Sequence, residues 1–531
     1  MPGATALRRL VIRTRDWPVL GACYRAAYAG ALRLTALLLA WPLGRSLVAL
    51  YLRRGLSRKG LTPGVSDMDL LMVLDIPAGR EEVLLRGLWR RYGWAKRLAP
   101  MLGELQVATP AEFSAYLAWG GIRRLDAPTW KPLRGAAPAA PADAGPDVGL
   151  QHLHEALAAY LFLAQTYFES ARPPAAPDFG FRMVKGFLDV MRHIEAARQG
   201  SPAAAERRQA QSRLLAGCPP EARRGLERPE RMSRDEALHL LCLALGRLDG
   251  FCARTGAGNA AVRPASPPHA PPENAYADEW QARLAKLGPG VGFFMDTLLH
   301  WYVVLPEAPD PHAARRVSLL MDFWHREESR FQNAGWLVTT NVLQCLLLSP
   351  HLDTPFFAWS LGGPDRGDGL WIRAKSRHPL WAGHYRLRYG LDPDRLRRPS
   401  PAELRRGARQ AAAELTLSLR LFGLRSWAGG NAYRIFFLYT RVIGLRLFFS
   451  RGAACDPEDF DQLCAACQEH FPETRPWLDR VAAEELRLPA AEFDARAPAD
   501  VFYRHLPFLR AQFDAAMAQA RLKQADPESA A

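Results

Sequence analysis

Lysine is almost missing from this 531-residue chain. Seven lysines stand against 62 arginines, in a total of 69 basic and 54 acidic side chains that leaves a net charge of +15. A basic balance favours anionic partners such as nucleotides, nucleic acid or acidic lipid, and is silent on fold. The arginine skew accompanies abundant alanine, so it reads as coding composition rather than as selection for phosphate binding. Cysteine is also scarce: eight thiols, at 23, 218, 242, 252, 345, 455, 464 and 467, are too irregularly spaced for the disulfide framework of a small secreted domain. A reducing, cytoplasmic setting is the expectation. Arg8, Arg9, Arg13 and Arg15 precede an apolar run, but no short hydrophobic region with a small-residue cleavage site follows, which argues against a signal peptide. Long uncharged runs are lacking as well. The stretch Ala29 to Trp41 carries Arg33, and Ala432 to Ser450 carries Arg434, Arg441 and Arg446. Neither reaches the roughly 20 apolar residues of a spanning helix, so no stable membrane insertion is expected.

What is present is a globular composition. Apolar residues make up 49% and charged residues 23%, far from the signature of disorder, and the length suits two to four folding units. Residues 134–149 and 255–275 are rich in Ala, Pro and Gly and lack periodicity, as linkers do. They divide the chain into 1–135, 150–254 and 276–531. In the first piece a helix over about Trp17 to Leu43 leads to a β-branched and aromatic strand, SLVALYLRRG, over 46–55. A glycine-containing turn, a second strand SDMDLLMVLDI, a helix over about 80–99 and a third strand GELQVAT follow. From 150 onward strand signals almost vanish. GLQHLHEALAAYLFLAQTYF and FRMVKGFLDVMRHIEAA have helical spacing, and Ser233 with Glu236 forms a capping box ahead of another helix. No internal repeat is visible. The expected class is α+β: an N-terminal mixed sheet with helices, then a large all-helical region.

The chemistry concentrates in Tyr51 to Leu74, YLRRGLSRKGLTPGVSDMDLLMVL. Asp67 and Asp69 alternate with Met68, Leu70 and Met72 on a predicted strand. Both carboxylates then share a face, with β-carbons about 6–7 Å apart, while the apolar residues point into the core. Two carboxylates this close repel unless a cation lies between them, and Mg²⁺, a hard ion that takes oxygen ligands, suits the pair. Ahead of them a turn holds Gly55, Ser57, Gly60 and Gly64, then Pro63 and Ser66, and such a turn can offer backbone N–H groups to phosphate oxygens. An isolated Asp-x-Asp is more often two solvated acids. The preceding turn shifts the balance towards a site.

The segment LRRGLSRKGLTPGVSDMDLLMVL resembles the signature of the polymerase-β-type nucleotidyltransferase superfamily, whose bacterial members often read L-R-G-S-x-A-R-G, a short loop, then P-G-x-S-D-x-D-L. GLTPGVSDMDLL is similar to the corresponding stretch of aminoglycoside nucleotidyltransferases. The likeness covers about residues 30–135. It implies that Asp67 and Asp69 are metal-binding carboxylates and that the third acid is Glu104 in LGELQV, one helix further on. It also implies two Mg²⁺ ions, with an NTP as substrate. The sequence departs from the pattern where the Gly-Ser pair that contacts nucleotide phosphates falls on Arg54 and Gly55; Ser57 restores a Gly-x-Ser one residue later. Arg54, Gly55, Ser57, Arg58 and Ser66 are the nucleotide-binding candidates, beside Arg53 and Lys59.

Other constellations are weaker. Arg123, Arg124 and Lys131 follow the third strand and read first as exposed bases near a linker. Lys185 and Arg192 share a helix face. Cys455, Cys464, Cys467 and His470 could supply zinc ligands, yet PEDFDQLCAACQEHF reads as one amphipathic helix in which small buried cysteines are commoner than a metal site. DFWHREESR at 322–330 reads as a salt-bridged helical face. Residues 432–449, apolar with spaced arginines, favour a buried helix over an interfacial one.

The leading expectation is a Mg²⁺-dependent nucleotidyltransferase that moves a nucleoside monophosphate from an NTP to an acceptor: a small molecule, a protein or an RNA end. The alternative is a nucleotide-binding or scaffold protein that has lost turnover through Arg54. A basic nucleic-acid binder ranks third, because no aromatic-plus-basic RNA motif is present.

Overall fold

A computed structural model of the chain describes residues 2–53, 63–77, 79–139, 148–169, 178–201, 207–215, 217–255, 291–295, 301–316, 335–347, 371–373, 385–389, 401–420, 431–451, 460–482 and 498–525. The chain packs into two units, each built from separate stretches. Unit 1 comprises 1–148, 409–434 and 494–507, and unit 2 comprises 149–408, 435–493 and 508–531.

In unit 1, helices α1 (Pro2–Thr14) and α2 (Pro18–Ala40) precede strands β1 (Leu47–Arg53) and β2 (Met68–Leu74), helix α3 (Glu81–Leu98), strand β3 (Leu102–Ala108), helix α4 (Pro110–Trp119) and strand β4 (Lys131–Arg134). The sheet order is β3-β2-β1-β4. β1 runs antiparallel to β2 and β4, and α3 is the crossover that lets β3 run parallel to β2. Met68, Leu70 and Met72 are buried as the alternation predicts. Leu71 and Val73, on the opposite face, are buried too, because β2 is a central strand covered on both sides. That second face packs Tyr51, Leu71 and Val73 against Phe113, Tyr116, Trp130 and Leu417.

Helix α4 starts with a capping box, in which Thr109 Oγ1 accepts from Glu112 N (3.3 Å) and Glu112 Oε2 accepts from Thr109 N (2.6 Å). Glu112 also anchors Arg420, a fully buried side chain that pairs with Glu112 (2.6 Å) and Glu81 (2.7 Å) and donates to the Val107 carbonyl (3.4 Å). Burial disfavours the cation, but the two carboxylates outweigh it, so the guanidinium pKa is raised.

Unit 2 holds helices α5 (Val148–Glu169), α6 (Phe179–Gln199), α7 (Arg207–Leu215), α8 (Pro220–Glu227) and α9 (Arg234–Arg254), the last opened by the expected Ser233–Glu236 capping box. The α+β class with a large helical region is what the structure has. One difference stands out: a second sheet follows, from β5 (Gly292–Met295), β6 (Trp301–Leu305), β7 (Gly335–Thr339), β8 (Trp371–Arg373) and β9 (Tyr385–Tyr389), so the region after 150 is not all-helical. These strands span three to five residues. Apolar runs that short cannot be told from buried helix by periodicity.

The order is β7-β6-β5-β9-β8, with β5 antiparallel to β6, β7 parallel to β6, and β9 antiparallel to β5. Its first four strands thus repeat the connectivity of the unit 1 sheet. The likeness extends to the loop beyond: Thr339 Oγ1 accepts from Val342 N (3.2 Å) at the start of α10 (Thr340–Leu347), as Thr109 does for α4. The Leu337 carbonyl accepts from Tyr160 of α5, and the Val107 carbonyl accepts from Arg420. Leu337 and Val107 each lie two residues before the capping threonine.

The four long helices after the second sheet are α11 (Pro401–Ser418), α12 (Asn431–Arg451), α13 (Phe460–His470) and α14 (Pro498–Ala525). The segment 432–449 lies within α12, and its described positions 438, 439 and 441–449 are buried, as expected. Its Arg446 lies over the Phe471 ring (3.7 Å) and pairs with Glu473 (2.6 Å).

Candidate active site

Asp67 and Asp69 sit where β2 begins, beside the bulge at which β3 departs from regular register between Leu102 and Leu105. Pro63, Gly64, Val65 and Ser66 form the turn into β2. Gly64 has φ +80°, and a β-carbon there would stand 2.8 Å from Ile12 Cγ1, so both its conformation and its surroundings require glycine. The turn is clamped from the N-terminal helices. Arg8 Nε donates to the Gly64 carbonyl (2.7 Å), Gly64 N donates to Tyr28 Oη (3.2 Å), and Tyr28 Oη donates to the Ser66 carbonyl (3.2 Å). Burial raises the Tyr28 pKa, with the nearby Asp67 charge adding to it, so Tyr28 stays a neutral donor.

The aspartates converge because residue 103 has no side chain. A β-carbon on Gly103 would lie 3.0 Å from Asp67 Cβ and collide with the Asp69 carboxylate. The Gly103 carbonyl is held by Tyr92 Oη, and Glu104 N donates to Asp69 Oδ1 (3.0 Å). Asp67 is exposed, whereas Asp69 and Glu104 are half-buried. Glu104 is therefore beside the pair, joined to it through its backbone. Among the described residues, no three His, Cys, Asp or Glu side chains gather into a metal-holding group. Magnesium commonly takes one or two protein carboxylates and completes its shell with water and substrate phosphate oxygens. The donor type and exposure of Asp67 and Asp69 fit that pattern; a third carboxylate ligand is not supplied in this arrangement.

A fixed cation adjoins the acids. Arg53, only 5% exposed, is the cross-strand partner of Asp69 at the end of the β1–β2 ladder. Its guanidinium lies 4.5 Å from the Trp130 ring centroid and donates to Gln106 Oε1. Sequence reasoning grouped Arg53 with a solvated basic turn, and it missed Gly103, Tyr28 and Tyr92. The signal for Gly103 was available, since glycine inside a strand marks a bulge or a close approach. Tyr28 and Arg53 gave none, because their contacts lie far away in sequence.

Arg54, Gly55, Ser57, Arg58 and Lys59 fall at 54–62, outside the described residues, as do Cys455 and the 322–330 segment. Ser66 is in place at the turn, with its carbonyl engaged by Tyr28. Of the secondary candidates, Lys131 is exposed on β4, while Arg124 is buried and donates to the Gly120 carbonyl (2.6 Å), a structural role. Lys185 lies over the Phe162 ring, and Arg192 pairs with Asp189 (2.8 Å), which ties both into unit 2 packing. Cys464, Cys467 and His470 share α13, and Cys467 contacts the Thr474 hydroxyl (3.7 Å).

No family model, no curated protein and no solved structure matches this chain.

Proposed function

We propose that unit 1 is a magnesium-dependent nucleotidyltransferase that moves a nucleoside monophosphate from an NTP to an acceptor hydroxyl. The observation that carries this reading is the convergence of Asp67 and Asp69 over Gly103, beside a clamped Pro-Gly turn. Two acids crowded against one glycine repel each other, and a cation between them offsets that repulsion. Magnesium, when bound, would supply charge neutralisation on the triphosphate. The chain's own part is positioning. Asp67 and Asp69 hold the charge of the site, the clamped 63–66 turn fixes where Asp67 emerges, and Arg53 keeps a positive charge beside it. Glu104, adjacent through its backbone, is the group to accept the proton of the attacking hydroxyl. The acceptor, whether small molecule, protein or RNA, belongs to surfaces that carry no readable signature. Among the described residues seven cysteines are free thiols, which supports a reducing, cytoplasmic setting.

The test is magnesium-dependent pyrophosphate release from NTPs, compared between the native chain and the Asp67→Asn/Asp69→Asn double variant. Replacing the acids relieves like-charge repulsion, so the fold is expected to persist while turnover falls at least about 100-fold. Equal release by both proteins refutes the assignment.

A second reading, a nucleotide-binding or scaffold protein without turnover, is favoured by one observation: three acids are not gathered into a metal group among the described residues. It predicts saturable NTP binding with no pyrophosphate from the native chain. Arg54→Gly discriminates further, raising turnover if the arginine impairs the site and lowering it if the arginine holds phosphate.

A further inference from the structure

Helix α2 has two faces of different character. Its inner face buries Gly21, Tyr28, Thr35 and Leu39, spaced seven and four apart, and Tyr28 holds the turn that leads to Asp67. The opposite face is apolar and open to solvent. Val19, Leu34, Leu37, Leu38 and Trp41 lie on it, with Val19 73%, Leu37 63% and Trp41 84% exposed. The spacing 34, 37, 38, 41 is that of one helical stripe, and Cys23, Ala27 and Gly30 continue it without a charge. At 1.5 Å per residue the stripe runs for about 33 Å. Monomeric proteins rarely leave so long an apolar surface uncovered without a binding role.

The surroundings name the partner. Residues 1–46 contain seven arginines and one acid, Asp16, a net charge of +6. Arg9, Arg13, Arg25, Arg33 and Arg45 are all exposed. Tryptophans mark the two ends of the helix, Trp17 at 60% exposure and Trp41. An apolar stripe flanked by arginine and ended by tryptophan is the composition of a helix lying in the plane of a bilayer interface, with its cations among anionic headgroups. A protein partner would have to be both strongly apolar and strongly acidic to match it.

By length and composition, Pro18–Ser46 would also pass as a membrane-crossing helix, the one such helix among the described residues, and 28% of its most apolar window is buried. Tyr28 and Thr35 belong to the packed face of unit 1, and Arg25 and Arg33 interrupt the other sides. The helix therefore has one face to give to lipid rather than its whole circumference.

We infer that the outer face of α2 docks unit 1 reversibly on the surface of an anionic lipid bilayer, with Leu34, Leu37 and Trp41 entering the headgroup boundary and the N-terminal arginines holding the lipid charge. The inference does not depend on the proposed chemistry, since its readout is binding alone. Full-length protein is mixed with vesicles of phosphatidylcholine, with or without phosphatidylglycerol, and sedimented. The expected result is cosedimentation with the anionic vesicles, weakened by raising salt from about 0.1 M to about 0.5 M. Leu37→Glu/Trp41→Glu should bind at least about tenfold more weakly, and Arg9→Glu/Arg13→Glu should lose most of the preference for phosphatidylglycerol. All four positions are exposed, and circular dichroism verifies that each variant is folded. Absence of native binding to anionic vesicles overturns the inference, as does undiminished binding by folded Leu37→Glu/Trp41→Glu. Sedimentation equilibrium without lipid provides the last arm. A self-associated chain that becomes monomeric in that variant assigns the face to a second copy and overturns lipid docking.

Discussion

The two sheets of this protein share their connectivity and differ at the ends where chemistry can occur. In unit 1 the last cross-strand pair before the hairpin connection is Arg53 with Asp69, and the connection, residues 54–67, carries the glycines, the Pro-Gly turn and Asp67. In unit 2 the corresponding pair is Met295 with Trp301, and the connection shortens to residues 296–300. Both third strands run parallel to the second and lead to a threonine that caps the next helix, and in both a carbonyl two residues before that threonine accepts from a side chain distant in sequence. A scaffold does not bring a site with it. The proposed chemistry belongs to the unit whose hairpin carries acids, a long connection and a strand glycine to make room for them.

Two buried ionisable clusters behave differently. In unit 1 Arg420 stays charged between Glu81 and Glu112, whereas in unit 2 a histidine pair stays neutral. His152 Nε2 donates to the Ser201 carbonyl (2.8 Å), which leaves His152 Nδ1 to accept from His193 Nδ1 (2.9 Å). His193 Nε2 then accepts from Arg192 Nη2 (3.5 Å). Burial and the Arg192 charge lower the His193 pKa to about 3.

The largest expected effect sharpens that contrast. Arg420→Ala strands two carboxylates and should destabilise unit 1 by about 3–5 kcal/mol, read from urea unfolding. A loss below about 1 kcal/mol would mean the cluster is not the anchor of that unit. The histidine pair predicts a pH dependence of the opposite kind. Because the His193 pKa is depressed, its contribution is complete above the unfolded value near 6.5 and is lost progressively below it. Unfolding free energy should drop by about 2 kcal/mol from this group between pH 7 and pH 5. His193→Leu should flatten that dependence, and an unchanged slope breaks the argument. Gly103→Ala presses a methyl group on both aspartates, with an expected cost of about 1–3 kcal/mol and a larger proportional fall in pyrophosphate release than in stability. Full activity in a folded Gly103→Ala variant would separate the glycine from the site. The smallest effect is that of Tyr160→Phe, which removes a neutral hydrogen bond to the Leu337 carbonyl and should cost about 0.5–1.5 kcal/mol. Should it match Arg420→Ala, the two anchors differ less than their charges imply.

Local pattern was sufficient for α2, β1, β2, α3 and β3, while α1 and α4 were not read from it. The strands, the crossover helix and the burial of Met68, Leu70 and Met72 were legible because hydrophobic period and turn residues are properties of neighbours along the chain. The capping box at Ser233 was legible for the same reason. Asp67 and Asp69 could be singled out, since an acid pair interrupting an apolar strand is conspicuous without any structure. The second sheet was not legible: a run such as Trp301–Leu305 fits buried helix as well as strand until its pairing partners are known.

The sequence by itself determined α2, the first three strands and the crossover helix of unit 1, the pair of acids and the turn that precedes them, since each follows from residues adjacent in the chain. Only the tertiary structure decided that Gly103 makes room for both carboxylates, that Tyr28 and Arg8 clamp the turn, that Arg53 lies buried against Trp130, and that the apolar stripe of α2 faces outward. Those outcomes depend on which surfaces meet after packing, and exposure or contact between distant residues is a property of the assembled fold that no window of sequence contains.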